Sequence, residues 1–461
     1  MITGTTYSAG VVATANREDA GAAVQAAEQA FPGWSATTPA ERSDLLERAS
    51  ELLMERQGEI ATLVTDETGG TLGWGMFNVQ LAAGMLAYYA SQTDVSAEDQ
   101  EIPSHIPGKR AKAIRQPVGV VVGIAPWNAP VILGVRAVAA PLAYGNTVVL
   151  KASEVCPRTH AAIVDVLRDA GVPIGAITLV GNDPADAAEV VEELIAHPAV
   201  RRVSFTGSTR VGRIIAETAA RHLKRVLLEL GGNSALVVLA DADLERAVAA
   251  ANFGSFMHQG QICMSTERIV VDRSVADEFA QKLAERAGSL KVGNPREPDT
   301  EIGPLVNKDA IKRVAEHVED ALAKGAKLIT GGKAQGLFFT PTVLMNVTPE
   351  MRAYSEESFG PVAAIVPVTG VDEAVRVAND TEYGLSSAVF SANVDTAMDV
   401  ARRLETGICH INDATVNDEP AMPFGGVKHS GWGRFGGKAA LQEFTELRWI
   451  TIQDTARQYA I

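Results

Sequence analysis

Three side chains in this sequence have the chemistry of an acyl-transfer site, provided that folding brings them together. Cys263 stands in Gln-Gly-Gln-Ile-Cys-Met-Ser, after a helical stretch and beside a glycine. Its backbone can therefore be exposed at a turn, where a thiolate would be a strong nucleophile. A lone cysteine is more often a small buried hydrophobe, so Cys263 needs partners. Glu229 closes the apolar run Arg-Val-Leu-Leu-Glu-Leu and is followed by Gly231-Gly232, 34 positions before the cysteine. A carboxylate at the carboxyl edge of a strand, desolvated by a packed loop, suits a general base. The alternative is an ordinary ion pair with Lys224 or Arg225. Asn128 lies in Ala-Pro-Trp-Asn-Ala-Pro, a rigid turn that could fix its amide as an oxyanion donor. Asparagine is also common in such turns for local reasons alone.

Other segments have the look of a nucleotide site. Phe-Thr-Gly-Ser-Thr-Arg-Val-Gly places Gly207 and Gly212 around a strand-to-helix turn, where N–H groups at a helix start could meet a pyrophosphate. By spacing this is neither the G-x-G-x-x-G fingerprint nor a P-loop. Lys151-Ala-Ser-Glu154 follows the strand-like Thr-Val-Val-Leu-Lys, and its cation and carboxylate could hold two ribose hydroxyls. They could equally be a solvated pair ahead of a helix starting at Pro157. Arg136 interrupts the apolar helix Val-Ile-Leu-Gly-Val-Arg-Ala-Val, where an unpaired charge would be costly. It either pairs with a carboxylate or faces a substrate channel and meets a phenolic oxygen.

The elements that must position these residues follow from periodicity. From Ala22 to Asp66 apolar residues recur at helical spacing, punctuated by Pro32-Gly33 and Pro39. Residues 96–117 are polar, hold three prolines, and predict an extended arm or hairpin. Beyond them VGVVVGIAP, TVVLK, AITLVG, VRRVSFTG and RVLLEL alternate with amphipathic helices, which predicts a parallel sheet covered on both faces. A second series after Gly232 (ALVVLA, RIVVD, KLIT, VAAIVPV, SAVFS, GICHI) predicts another α/β unit. Two such units leave a cleft between them for cofactor and substrate.

Composition sets the bounds. At 461 residues the chain exceeds the roughly 250–300 at which single cores stop growing, so at least two domains are expected. A net charge of −15 with no basic patch argues against nucleic acid. Three cysteines, Cys156, Cys263 and Cys409, form no CxxC pair and suit neither a disulfide framework nor a zinc site; no metal is expected. No stretch approaches the roughly 20 apolar residues of a membrane span, and MITGTTYSAG does not read as a leader, so a cytoplasmic location is expected.

The ordered set Pro-Trp127-Asn128, Lys151 to Glu154, FTGST, LELGG, QGQIC, EESFGP and PFGGVKHSG resembles the aldehyde dehydrogenase superfamily from about Asn16 to Ile450. The resemblance implies a Rossmann-type NAD-binding domain (1–95 and 118–231), an α/β catalytic domain (232–442) and a small oligomerisation arm (96–117 and 443–461). It implies Cys263 as nucleophile, Asn128 with the Cys263 backbone N–H as oxyanion hole, and Glu229 as base for thioester hydrolysis. Lys151 and Glu154 would bind the adenosine ribose, Gly207 and Ser208 the pyrophosphate, and Glu357 and Phe359 the nicotinamide riboside. Ile124, Pro126, Trp127, Ser153, Val211, Leu230 and Gly231 would complete the cofactor contacts. Glu154 favours NAD over NADP, because a 2′-phosphate beside it would be repelled. A base at Glu229 also favours hydrolysis over transfer to coenzyme A.

The segments around Asn128 and Cys263, with Gly-Arg-Phe-Gly-Gly-Lys near Gly433, look like the benzaldehyde, salicylaldehyde and vanillin dehydrogenase branch, implying an aromatic aldehyde. Arg136, Trp74, Phe77, Ile262 and Met264 are the candidate substrate contacts. The chain departs from many relatives in starting late and in having Gly181-Asn182-Asp183-Pro184 for a more glycine-rich turn. Family members usually form dimers or tetramers by exchanging such an arm and a C-terminal strand, here with Glu-Leu-Arg-Trp-Ile-Thr-Ile ready to pair at a sheet edge. The rival readings are an aliphatic or semialdehyde dehydrogenase, a cysteine hydrolase pairing Cys263 with His258, and a binding protein without activity.

Overall fold

The computed structural model describes residues 14–459. The stretch Met1–Gly10, read above for a leader, and the outer domain limits at 1 and 461 lie outside the described residues. Four helices open the chain, Arg17–Ser35, Pro39–Glu55, Gln57–Thr68 and Leu72–Ala90. Asn16 and Thr38 start the first two with reciprocal capping boxes to Asp19 and Glu41. The break expected at Pro32-Gly33 does not occur: Pro32 lies inside the last turn of its helix, where few hydrogen bonds remain to be lost, and buried Trp34 anchors the end. Pro39 does mark a start, at the first turn of the second helix.

Five of the strand-like runs form the parallel part of a six-stranded sheet, ordered Gly431–Trp432, Arg225–Glu229, Val200–Thr206, Val120–Ile124, Thr147–Lys151, Ile177–Val180. The first of these is antiparallel and arrives from some two hundred residues away in sequence. It was missed because two residues carry no period. The segment from Phe424 to Phe444 also packs into the first unit's core, so a catalytic domain running from 232 to 442 takes in residues that the structure places with the first sheet.

The second sheet has seven strands, ordered Lys327–Thr330, Thr342–Met345, Val362–Val368, Thr266–Asp272, Ser234–Val238, Ser386–Phe390, Ile408–Ile411. Its inner strands are fully buried and parallel, which explains their unbroken apolar runs. Lys327–Thr330 is instead an antiparallel edge strand, mostly exposed, and its partner Thr342–Met345 is a run that the sequence reading passed over behind Pro341. The arm is a separate three-stranded antiparallel sheet, with Lys109–Pro117 between Gln100–Ile102 and Thr445–Gln453. Among the described residues no helix is long and apolar enough to cross a membrane.

One buried side chain ties the far end of the chain to the first sheet. The Asn146 carboxamide oxygen accepts from the N–H groups of Val118 and Gly119 at 2.7 and 3.1 Å. Its NH2 donates to the Pro141 and Phe444 carbonyls at 3.1 and 2.9 Å. Replacing Asn146 by leucine strands the two N–H groups and the Phe444 carbonyl, while the Pro141 carbonyl keeps the backbone N–H of residue 146. We expect Asn146→Leu to lower unfolding stability by about 3 kcal/mol, read from the midpoint of urea denaturation.

Candidate active site

Parallel strands end on one side, and four of them deliver the candidate residues to the same rim. Val120–Ile124 leads into Pro126-Trp127-Asn128, Thr147–Lys151 ends on Lys151, Val200–Thr206 leads to Gly207, and Arg225–Glu229 ends on Glu229. Such a rim is where ligands bind in open α/β sheets. Against it lies a cavity of about 270 Å³ that Pro126, Trp127, Asn128, Gly207, Ser208, Glu229, Leu230, Gly231, Cys263, Glu357 and Phe359 line. Thr206 and Arg313 line it too. Thr206 sits inside a motif already noted, whereas nothing in the amphipathic helix Lys308–Ala323 marks Arg313 out.

Glu229 is buried, and neither carboxyl oxygen has a hydrogen-bond partner. It pairs with neither neighbour suggested by sequence: Lys224 donates to the His197 and Val200 carbonyls, and Arg225 faces Glu443. Burial pushes its pKa up to about 7, against the pull of the Arg136 charge. Burial, reinforced by the Glu229 charge, also drives the Cys263 thiol well above its ordinary range. At neutral pH the sulfur therefore keeps its proton, and the raised proton affinity of Glu229 lets that carboxyl exchange its own proton in the same pH range.

The turn before the cysteine is tightly bent. His258, Gln259 and Gly260 are consecutive left-handed residues, and a Cβ on Gly260 would sit 2.1 Å from the Gly360 carbonyl oxygen. Asn128 is held from two directions. Its amide nitrogen donates to the Gln261 carbonyl at 3.0 Å, while its own carbonyl accepts from the Trp74 indole at 3.0 Å. The second amide hydrogen and the Cys263 backbone N–H bond to no other group among the described residues. Two donors are thus left over near the sulfur.

The Gly231-Gly232 pair has a steric reason. A Cβ at Gly231 would come 2.7 Å from a Glu357 carboxyl oxygen, and one at Gly232 would come 2.3 Å from the Cys263 carbonyl oxygen. Glu357 accepts from the Gly232 N–H at 2.9 Å, and burial with nearby Glu267 raises its pKa well above the carboxylate range. Glu267, which the sequence reading missed inside an apolar strand, accepts from the N–H groups of Ser358 and Phe359 at 2.8 and 2.9 Å. That holds Phe359 in a left-handed conformation with its ring edge-on to Trp127, 5.8 Å between centroids.

Lys151 and Glu154 form an ion pair, but not a solvated one, because the Lys151 side chain is buried. Asn182, from the unusual turn, also donates to Glu154 at 3.0 Å. Burial opposes ionisation of Glu154, yet Lys151 and these hydrogen bonds outweigh it and leave the pKa low. Ser153 donates its N–H to His160, Ile124 pairs with Lys151 across the sheet, and Val211 donates to the Ser208 hydroxyl that caps the helix Thr209–Arg221. Lys151, Glu154, Ser153, Ile124 and Val211 do not line the cavity.

The candidate substrate contacts are not in the cavity either. Trp74 stacks on His258 at 4.7 Å and on Phe77 at 5.7 Å, and Phe77 is 40% exposed. Ile262 and Met264 flank the cysteine as buried core residues. Arg136 takes the paired arrangement: one guanidinium nitrogen binds Asp418, and the group lies 4.2 Å above the Phe424 ring. His258 makes no hydrogen bond to Cys263, both of its nitrogens are unpartnered, and burial lowers its pKa to about 3. A hydrolase pair is therefore not formed. Among the described residues no group of three or more His, Cys, Asp or Glu could hold a metal ion.

The family model described as "Aldehyde dehydrogenase family" matches residues 4–450. The chain belongs to the aldehyde dehydrogenase family. It is 54% identical over 450 residues to a vanillin dehydrogenase of Pseudomonas fluorescens, covering 98% of this chain and 93% of that one. It is 41% identical to a benzaldehyde dehydrogenase [NAD(+)] of Pseudomonas putida, covering 98% and 92%. The crystal structure of a salicylaldehyde dehydrogenase from Pseudomonas putida G7, complexed with salicylaldehyde, superposes with a TM-score of 0.96 at 44% identity, covering 97% and 93%. The α/β class expected from the strand runs is thus the fold of this aldehyde dehydrogenase, an oxidoreductase that uses NAD(P).

The residues present suit a dinucleotide. The Gly207 turn opens on a helix start, a Cβ there would strike the Phe205 ring at 2.5 Å, and carboxyl oxygens of Glu154 and Glu357 can accept from ribose hydroxyls. The fit at Gly232 is a strict test of the site. We expect Gly232→Ala to push the Cys263 backbone aside, cutting kcat by about 100-fold or more and lowering the melting temperature as well. Steady-state NADH formation and a thermal scan measure the two effects.

Proposed function

We propose that this aldehyde dehydrogenase oxidises an aromatic aldehyde of the benzaldehyde, salicylaldehyde or vanillin type to the carboxylic acid, with NAD as acceptor and Cys263 as nucleophile. The observation that carries the chemistry is a buried Glu229 carboxyl without hydrogen-bond partners beside the Cys263 thiol. Glu229 removes the thiol proton, and the sulfur attacks the carbonyl carbon. The oxygen that becomes negative accepts from Asn128 and from the Cys263 N–H. Each such donor contributes about 3–4 kcal/mol when already aimed at the developing charge. Glu357, Phe359, Gly207 and Ser208 would hold NAD, which when bound supplies the acceptor for the hydride that leaves the attacked carbon. Cys263 is left as a thioester. Once Glu229 has released that first proton to solvent, it takes a proton from the water that attacks the thioester and returns it to the Cys263 sulfur as the acid departs.

The aromatic class rests on the three relatives named above, described as vanillin, benzaldehyde and salicylaldehyde dehydrogenases, and on the Trp127 and Phe359 rings that wall the cavity. NAD is preferred because ionised Glu154 would repel a 2′-phosphate. The free cysteines suit a reducing, cytoplasmic setting. A homodimer or homotetramer is part of the proposal, because Thr445–Gln453 leaves one edge unpaired and exposes Leu447, Trp449 and Ile452. A monomeric mass by light scattering would remove that part.

With NAD and benzaldehyde, wild-type protein should produce NADH and Cys263→Ala should not. A fully active Cys263→Ala variant would overturn the mechanism. Glu229→Gln should slow turnover by at least about 100-fold. Because Glu229 acts as its carboxylate, kcat should rise with pH through a midpoint near 7 and fall as pH drops below it.

A further inference from the structure

His258 is a buried side chain beside the site for which the chemistry above has no use. It is 3% exposed, and neither ring nitrogen has a hydrogen-bond partner among the described residues, an arrangement that costs stability. The imidazole lies face to face with Trp74, with 4.7 Å between centroids and 12° between planes. It also lies 6.4 Å from the ring of Trp127, which walls the cavity. From Trp74 a chain of hydrogen bonds leads back to His258. The Trp74 indole N–H donates to the Asn128 backbone carbonyl at 3.0 Å. The Asn128 side-chain amide donates to the Gln261 carbonyl at 3.0 Å, and the Gln261 N–H donates to the His258 carbonyl at 3.0 Å. The stack closes these links into a ring of four residues, each nine-tenths or more buried.

Three of the four links are directional hydrogen bonds, and they fix Asn128 against the turn that bears Cys263 only while the indole stays in place. Trp74 comes from a separate element, the helix Leu72–Ala90, where the Asn78 side chain donates to its carbonyl at 3.0 Å. That bond holds the Trp74 backbone and leaves the indole free to turn about its own side-chain bonds. Its other aromatic neighbour, Phe77, is 5.7 Å away and 40% exposed. Gly70 keeps room for the stack, since a Cβ there would come 2.7 Å from the Trp74 ring and 3.1 Å from that of His258.

We infer that His258 is a positioning residue whose ring, stacked on Trp74, fixes the direction in which Asn128 presents its remaining amide hydrogen to the developing oxyanion. This rests on the reading of Asn128 as an oxyanion donor. Misplacing such a donor by about 1 Å is enough to slow a reaction by about 100-fold. A ring kept only to fill space would slow turnover whether or not the Asn128 amide were there. A ring that aims the amide matters only while the amide is present.

The test is a double-substitution series on the full-length enzyme with NAD and benzaldehyde. His258→Asn keeps a residue that tolerates the left-handed backbone but removes the ring, and kcat should fall by about 10-fold or more with KM for NAD unchanged. His258→Phe returns a flat ring, and Phe359 shows that such a residue takes this backbone conformation here; kcat should recover to within about 3-fold of wild type. In an Asn128→Ala background, His258→Asn should cost less than about 2-fold more. Trp74→Phe, which removes the indole N–H, should likewise slow turnover only where Asn128 is present. Circular dichroism and thermal melting check folding, and if the His258 variants do not fold, the Trp74→Phe pair decides. Wild-type turnover by His258→Asn overturns the inference, as does a folded His258→Phe no faster than His258→Asn. A loss equally large with and without Asn128 also overturns it and makes His258 a packing residue. Full turnover by Asn128→Ala would instead remove the reading of Asn128 on which the inference depends.

Discussion

A carboxyl group stripped of water and given no hydrogen bond is the constraint around which this site is built. Glu229 would be unfavourable in a core unless its neighbourhood made use of its raised proton affinity. Its backbone is fixed on both flanks: the carbonyl accepts from Gly207 at 3.0 Å, and the next N–H donates to Ser430 at 3.1 Å. Ser430 also donates its hydroxyl to Gly231 at 2.7 Å. The rim of the first sheet, the two glycines and the late segment around Ser430 are thus a single device for holding one side chain where it cannot be solvated.

The second sheet meets this device through close backbone approach. Gly231 and Gly232 are spaces reserved for a carboxyl and a carbonyl from across the cleft, and the left-handed turn at 258–260 raises Cys263 to meet them. Behind the cleft, Glu267 spends its hydrogen-bonding capacity on Ser358 and Phe359, so a strained backbone conformation is held by a buried carboxyl group. The ring that results stands against Trp127 of the first unit. Precision at the sulfur comes from several short-range contacts of this kind, each between segments far apart in sequence.

What could be read in advance follows from the range of each signal. Strand runs such as VGVVVGIAP and RVLLEL are local, and so are the turns that end them, which is why Glu229, Asn128 and Gly207 could be placed at strand ends. Family motifs added Glu357 and Phe359, which no local pattern singles out. Partnerships across the chain left no trace: Arg136 announces a need for a carboxylate but not that Asp418 meets it. Glu267 and Arg313 were passed over because a carboxylate within an apolar strand and an arginine on an amphipathic helix look ordinary until the fold turns them inward. The direction of Lys327–Thr330 and the return of Gly431–Trp432 to the first sheet depend on topology, which two to four residues cannot encode.

The return of Gly431–Trp432 bears on how the protein is made. Glu229 leaves the ribosome long before the strand that will lie beside it, and at ordinary elongation rates the delay is roughly 10–40 s. During that interval the edge of the first sheet is open, with Leu228 and its neighbours lacking the cover they have in the finished molecule. The second unit is synthesised in between. The nascent chain therefore passes through a vulnerable stage that only its last segment closes, and shielding by chaperones would matter most there.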